Sequence, residues 1–397
     1  MKILIVTYSF PPEWAGPSER FLRYSPKFQE RGLELTFLTR SLRKGDIKEN
    51  VHRGARVHRI AVKEDKFQFE RFLRESSRFI LKHRDEYQLV VSLSYSYVQY
   101  FLNKRILKHG IPIVGLHTMA IEHMVNKSLK SWIIHTLQKI SLRANSHMVA
   151  STSYLKENLI TNKYKGSNIT VIPNGVDMTR FKPVDFEQRD NLRDRLSLPQ
   201  KEKLVLFVGL RTPRKGVLNL VRGWKIYKDK YEGTGSLVLV GPERRENDNL
   251  KGFYQKWDEE VSKSEISKYR IELRAPSPDI QHYFQCCDLF TFMSVKEGLP
   301  NVIPEAMASG IPILMNQYEG YSEEVARDRK HVFITNDNPN VIAKNLYTML
   351  NGSDSREILS YLSDNAFEWI NETQPIDLSV GKFIVLFETL KLQSLKG

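Results

Sequence analysis

The stretch KLVLFVGLRTPRKGV (203–217) decides the fold. Its first half is an unbroken apolar run, the mark of a parallel strand buried on both faces. Gly209 ends the run, a loop carrying Arg211, Arg214 and Lys215 follows, and Gly216 opens a helix from about Val217. The same order has already run once upstream. ILIVT (3–7) is a strand, SFPPEWAGPSER a loop, 18–31 a predicted helix ending at Gly32, and LELTFLT (33–39) the next strand. That is a βαβ unit. QLVVSLS, a helix to about Lys108, IPIVGLH, a long helix over 121–143, HMVAS and ITVIPNG extend it. After 203 the series restarts, with SLVLVG, YRIELR, DLFTFMS and IPILM as further strands.

The pattern predicts an α/β protein of two doubly wound, Rossmann-like domains. They are expected over 1–184 and 200–375, joined by the polar stretch 185–203. A last amphipathic helix, within 376–397, is expected to pack back on the first domain. Two such domains facing one another would enclose a cleft between the carboxyl ends of their sheets, where these folds bind ligands.

The bulk numbers agree with a folded chain of two or three domains: 397 residues, 41% apolar and 27% charged. KILIV (2–6) is too short for a signal peptide or a membrane span, so a cytoplasmic location is expected. Cys286 and Cys287 are adjacent, which suits a reduced compartment and gives no disulfide framework or zinc spacing. The net charge of +14 is unevenly placed. Residues 1–182 hold 31 Lys+Arg against 15 Asp+Glu, and the remainder 29 against 31. The basic half is expected to face something acidic, such as a membrane surface or a phosphorylated acceptor. No RRM, zinc or helix-turn-helix signature supports nucleic acid as the partner.

Several residues stand where chemistry is possible. Arg211, Arg214 and Lys215 precede a helix start, where free N–H groups and the helix dipole favour a phosphate. The Walker spacing is absent, and a basic loop capping a strand is the alternative. Gly16 lies in the first loop, where a missing side chain would admit a ligand, and Ser18 is a candidate N-cap. His117 ends IPIVGLH, at a carboxyl end that could face the cleft. In KEGLPNVIPEAMASG (296–310), Glu297 and Glu305 are eight positions apart. A carboxylate only accepts hydrogen bonds, which fits sugar and ribose hydroxyls. Glu305 could equally do no more than complement the helix dipole.

EGLPNVIPEAMASGIPIL resembles the E-x7-E signature of the retaining glycosyltransferases of family 4, also called glycosyl transferases group 1, which have the GT-B fold. PNGVD (173–177), FVGLRTPRKGV, the first loop and GLHTM resemble further segments of that family. The resemblance implies that Lys215 and a neighbouring arginine bind the donor diphosphate. Arg211 is the first choice of arginine, shifted by one position because Leu210 follows the glycine, and Arg214 is the other. Glu305 would hold the ribose, and Glu297 with Gly298, Leu299, Pro300 and Asn301 the donor sugar. Gly16 would admit the donor phosphates, and His117 would contact the sugar near the reacting carbon. Pro276–Ile280 falls where the family often meets the base. Ala15-Gly16 departs from the family's paired glycines.

The activity so implied is transfer of a sugar, with retention, from a nucleotide sugar (a UDP-sugar first) to a hydroxyl of a glycan or lipid-linked acceptor in cell-envelope polysaccharide synthesis. No D-x-D motif is present, so neither metal nor other cofactor is expected. Two basic stretches, KFQFERFLRESSRFILKHR (66–84) and NKSLKSWIIHTLQKISLR (126–143, with Trp132), could lie on an anionic membrane. The alternatives are a catalytically inactive sugar-nucleotide-binding protein or an epimerase of the same fold.

Overall fold

The computed structural model describes residues 1–397 except 12, 14, 15, 42–48, 94–96, 121–132, 134, 135, 137, 138, 141, 244 and 395–397. Most of the basic stretch 126–143, Trp132 included, and Ala15 lie outside the described residues. The chain forms two compact units, 1–174 with 376–397, and 175–375.

Unit 1 is an eight-stranded sheet. Its strands are β1 (Lys2–Val6), β2 (Glu34–Arg40), β3 (Glu49–His52), β4 (Ala55–Ile60), β5 (Leu89–Ser92), β6 (Ile113–His117), β7 (His147–Ala150) and β8 (Ile169–Val171). The order is β3-β4-β2-β1-β5-β6-β7-β8. Every pairing is parallel except β3 with β4. That hairpin turns on Arg53 and Gly54, both at positive φ, and its polar strands carry no apolar run to predict them.

The apolar run of β1 still alternates. Ile3 and Ile5 join one core with Phe21, Phe28, Phe383 and Phe387, from helices Gly16–Glu30 and Ile376–Ser394. Leu4 and Val6 join the other with Phe72 and Ile80, from helix Gln68–Lys82. The basic side of that last helix, Arg71, Arg74 and Arg78, is solvated, and Phe67 just before it is exposed. The first helix starts at Gly16, so Ser18 is not its N-cap. The Ser18 hydroxyl donates to the Ser9 carbonyl at 3.0 Å instead.

Unit 2 has β9 (Leu204–Val208), β10 (Ser236–Val240), β11 (Ile271–Arg274), β12 (Leu289–Phe292), β13 (Ile313–Asn316) and β14 (Phe333–Thr335). The order is β11-β10-β9-β12-β13-β14, all parallel. Its sheet is also covered on both faces. Val205 and Phe207 pack with Trp224, while Leu204 and Leu206 pack with Ile303 and Met307.

The stretch 185–203, expected as a linker, is part of unit 2, and the boundary lies at 174/175 rather than at 184. Asp185 caps helix Phe186–Arg195 by accepting from the Gln188 N–H at 2.8 Å. Arg193 is buried, pairing with Asp288 at 2.9 Å and donating to the Cys286 carbonyl at 3.0 Å. Its charges meet partners instead of water, which composition alone does not reveal. Cys286 and Cys287 are free and buried, and burial pushes the Cys286 thiol up to about 11. Among the described residues no helix is long and apolar enough to cross a membrane.

Candidate active site

Among the parallel strands of each sheet the order reverses once. The reversal lies between β1 and β5 in unit 1 and between β9 and β12 in unit 2. At such a point two loops leave the carboxyl ends of neighbouring strands in opposite directions and open a crevice. In unit 2 those loops are 209–216 and 293–301, the two stretches singled out from sequence. β9 and β12 pair directly, Phe207 opposite Thr291.

The two loops are stitched together. The Val295 N–H and the Ser294 hydroxyl donate to the Arg214 carbonyl at 2.9 and 3.0 Å. The Arg214 guanidinium returns a bond to the Lys296 carbonyl at 2.9 Å. The loop after β13 joins them, with the Glu297 N–H on the Glu319 carbonyl at 3.0 Å. Gly216 makes this approach possible. Its φ is +65°, and a Cβ there would stand 2.0 Å from the Met293 carbonyl oxygen.

Glu297 is the hub. Its Oε1 accepts from Lys215 Nζ at 2.7 Å, Arg214 Nη1 at 2.5 Å and Ser294 Oγ at 2.7 Å. The Lys215 and Glu297 side chains are 15% and 11% exposed, so water screens the pair weakly. Burial draws the Lys215 pKa below the ordinary lysine range, against the pull of Glu297. Two cations face one carboxylate. The surplus positive charge, in the switch-point loops at the sheet's carboxyl end, suits a phosphate or diphosphate.

Arg211 is not part of this cluster. It is buried, and it spends its guanidinium on the Gly241 carbonyl at 2.6 Å, the Arg274 carbonyl at 2.7 Å and Glu243 at 3.0 Å. These bonds tie the ends of β10 and β11 together. The expectation that placed Arg211 with Lys215 is therefore corrected: Arg214 stands beside Lys215. A sequence shows which arginines are near in the chain, but not that Glu243, 32 positions on, claims one of them.

Glu305 lies in the first turn of helix Val302–Ala308 and is 5% exposed. Gly298 and Pro300 are buried and Leu299 packs against the core, so the loop is rigidly seated. Asn301 is the residue from which this helix starts. Lys215, Glu297, 298–301 and Glu305 thus all belong to the end of one sheet.

His117 and Gly16 belong to unit 1. His117 ends β6, is 2% exposed, and meets Asn158 Oδ1 at 3.3 Å through Nε2. Burial lowers its pKa to about 4, so the ring is neutral near neutral pH. Gly16 is the first residue of its helix, and a Cβ there would meet nothing within 4 Å among the described residues.

Unit 1 also has a polar corner that sequence reading missed. Tyr8, just beyond β1, donates to Gln68 Oε1 at 2.7 Å, and the Arg40 guanidinium lies 4.7 Å from its ring centre. Arg40, the last residue of β2, pairs with Glu13. Glu13 Oε2, Arg40 Nε, Gln68 Nε2 and Glu70 Oε2 are buried with no hydrogen-bond partner among the described residues. Only their coming together, with Tyr8 and Gln68 60 positions apart in sequence, marks them.

Residues 188–368 match the family model of the glycosyl transferases group 1, and residues 16–180 that of Glycosyltransferase Family 4. The chain is 24% identical to the alpha-monoglucosyldiacylglycerol synthase of Acholeplasma laidlawii over 65% of each chain. It is 28% identical over 53% of each chain to the UDP-Gal:alpha-D-GlcNAc-diphosphoundecaprenol alpha-1,3-galactosyltransferase of Escherichia coli. The matched stretches span 36% to 65% of the first three curated relatives' own length. Among solved structures, Anabaena HepE in complex with UDP matches with a TM-score of 0.75 at 15% identity, over 98% of this chain and 100% of that one. The sucrose-phosphate synthase of Thermosynechococcus elongatus matches with a TM-score of 0.78 at 16% identity, over 98% of each chain. At those identities the structures show the fold, GT-B. With both halves matched in order and both sheets built as that fold requires, the chain belongs to the glycosyltransferases of group 1, family 4.

Proposed function

We propose that the chain is a retaining glycosyltransferase. It moves a sugar from a nucleotide sugar, a UDP-sugar first, to a hydroxyl of a glycan or lipid-linked acceptor in cell-envelope polysaccharide synthesis. The observation that carries this reading is the cluster of Lys215, Arg214 and Glu297 at the switch point of unit 2. The names of the Escherichia coli and Acholeplasma relatives, one a diphosphoundecaprenol-sugar galactosyltransferase and the other a glycolipid synthase, support the acceptor class.

The barrier to transfer is separation of an anionic nucleoside diphosphate from a sugar cation. Lys215 and Arg214 stand at the site before the leaving-group charge develops, so they stabilise it as it forms. They supply the charge a metal would otherwise bring, and the reaction is metal-independent on this reading. Glu305 holds the ribose diol, and Glu297 with the 298–301 loop orients the sugar. His117, at the end of β6 in unit 1, keeps an uncharged ring near neutral pH. The departing phosphate takes the acceptor's proton on the face it leaves, which gives retention without an enzymic nucleophile.

The polar corner of unit 1 fits an acceptor. A sugar hydroxyl both donates and accepts, and it can satisfy Glu13 and Glu70 as well as Arg40 and Gln68. The basic excess of residues 1–182, with Phe67 exposed beside it, supports peripheral contact with the inner face of an anionic membrane. Anionic liposomes should carry the protein upward in a flotation gradient at low salt and release it at high salt. Equal flotation with neutral liposomes would remove the electrostatic part of the idea.

The decisive test of the activity is a donor screen. UDP-, GDP- and ADP-sugars are incubated with the protein and the anomeric signals followed by NMR. One donor should bind and be hydrolysed slowly with its configuration kept. Inversion would refute retention, and no binding by any donor would refute the site.

A further inference from the structure

Tyr318 lies on the loop that leaves β13, the strand next to β12. It is 3% exposed, and its hydroxyl is buried with no hydrogen-bond partner among the described residues. A buried hydroxyl without a partner is costly, so its retention needs a reason. The loop holds it beside Glu297. Glu319, the next residue, pairs its backbone with Val295 at 2.8 Å and with Glu297 at 3.0 Å. The Tyr318 ring packs edge-on against Phe292, 5.6 Å between centres, and Lys215 Nζ stands 5.6 Å from that same phenylalanine ring. The Glu297 charge adds to burial in raising the Tyr318 pKa.

Ligand arrival changes what Glu297 needs. Without ligand its Oε1 carries Lys215, Arg214 and Ser294. A diphosphate competes for both cations. The carboxylate then keeps only the serine, in a site where an undercompensated charge is expensive. We infer that Tyr318 is a positioning residue whose hydroxyl takes up Glu297 when a nucleoside diphosphate draws Lys215 and Arg214 away, so that phosphate binding and the orientation of Glu297 are coupled. The inference rests on the donor-site reading above. It adds a partner that neither the motif nor the cation cluster names.

The test uses Tyr318→Phe, which removes one oxygen and keeps the ring. Affinity is measured by calorimetry for whichever of UDP, GDP and ADP the wild type binds most tightly. The variant should unfold at the same or a higher temperature without ligand, because an unpaired buried hydroxyl is gone. It should bind the nucleotide about tenfold more weakly, the size expected for one hydrogen bond to a charged group. A merely structural tyrosine would not weaken binding while the free protein stays as stable. In the Glu297→Gln background, where no carboxylate charge needs a new partner, the added Tyr318→Phe should cost less than about twofold. Unchanged affinity in the single variant, or an equal loss in both backgrounds, overturns the hand-over and leaves the donor site standing. A wild type that binds none of the three nucleotides overturns the donor-site reading and the inference with it.

Discussion

The two sheet ends treat polar side chains in opposite ways. In unit 2 the switch-point loops arrive wired: Glu297 Oε1 has three donors and Arg214 bonds across to the Lys296 carbonyl. In unit 1 the corner around Tyr8 leaves four polar atoms with no partner among the described residues. A site whose carboxylate and cations are already paired without ligand can be selective for charge before anything binds. A site with unmet hydrogen bonds gains them only from what it binds, and so is shaped by one particular ligand. On the functional reading above, this is the difference between a diphosphate, common to many donors, and an acceptor that is not.

The contrast can be broken most forcefully at Lys215. Lys215→Ala should lower kcat/KM by about 10³, because a charge aimed at the leaving diphosphate is lost. A change below about tenfold in steady-state kinetics would move the phosphate site elsewhere. Arg211→Met should do the reverse, costing about 3 kcal/mol of stability in a denaturant melt, because Glu243 and two carbonyls lose a buried partner. The folded fraction should keep its donor KM, and a raised KM would return Arg211 to the site. Glu305→Ala should raise donor KM about thirtyfold with kcat less affected, the cost of losing hydrogen bonds from a diol to a carboxylate. In unit 1, Gln68→Ala should raise acceptor KM about fivefold and leave donor KM alone. An effect on the donor would erase the distinction between the two ends.

A further test concerns His117. Unfolded, a histidine takes up its proton below about pH 6.5. Folded, His117 does so only below about 4. Between those values the unfolded chain binds more protons, so stability falls as pH is lowered through that window and levels off beneath it. The melting temperature of His117→Asn should fall less than that of wild type over the same range. Identical curves would mean that the buried imidazole does not set this part of the slope.

The sequence made the strands legible because a parallel strand covered on both faces reads as an apolar run, as Leu204–Val208 does. It also made the donor loops legible, because each directly follows such a run. Elements of other chemistry stayed hidden. The β3–β4 hairpin and helix Phe186–Arg195 are mostly polar, and their order comes from a turn, a cap and buried ion pairs. The choice between Arg211 and Arg214 depended on Glu243 and Glu297, which approach only after folding. The corner around Tyr8 depended on contacts between β1, β2 and helix Gln68–Lys82, to which no local pattern corresponds.

Unit 1 is assembled from both ends of the described chain, with 376–397 returning to it after the whole of unit 2. Phe383 and Phe387 fill its aromatic core against Phe21 and Phe28. On a ribosome this sets a schedule. Unit 2 is one uninterrupted segment and can close while synthesis continues. Unit 1, begun first, waits for helix Ile376–Ser394 to emerge before its core is complete. Until then the exposed aromatic face of helix Gly16–Glu30 is a surface for a chaperone to hold, and a ribosome paused before residue 376 would display a finished unit 2 beside an open unit 1.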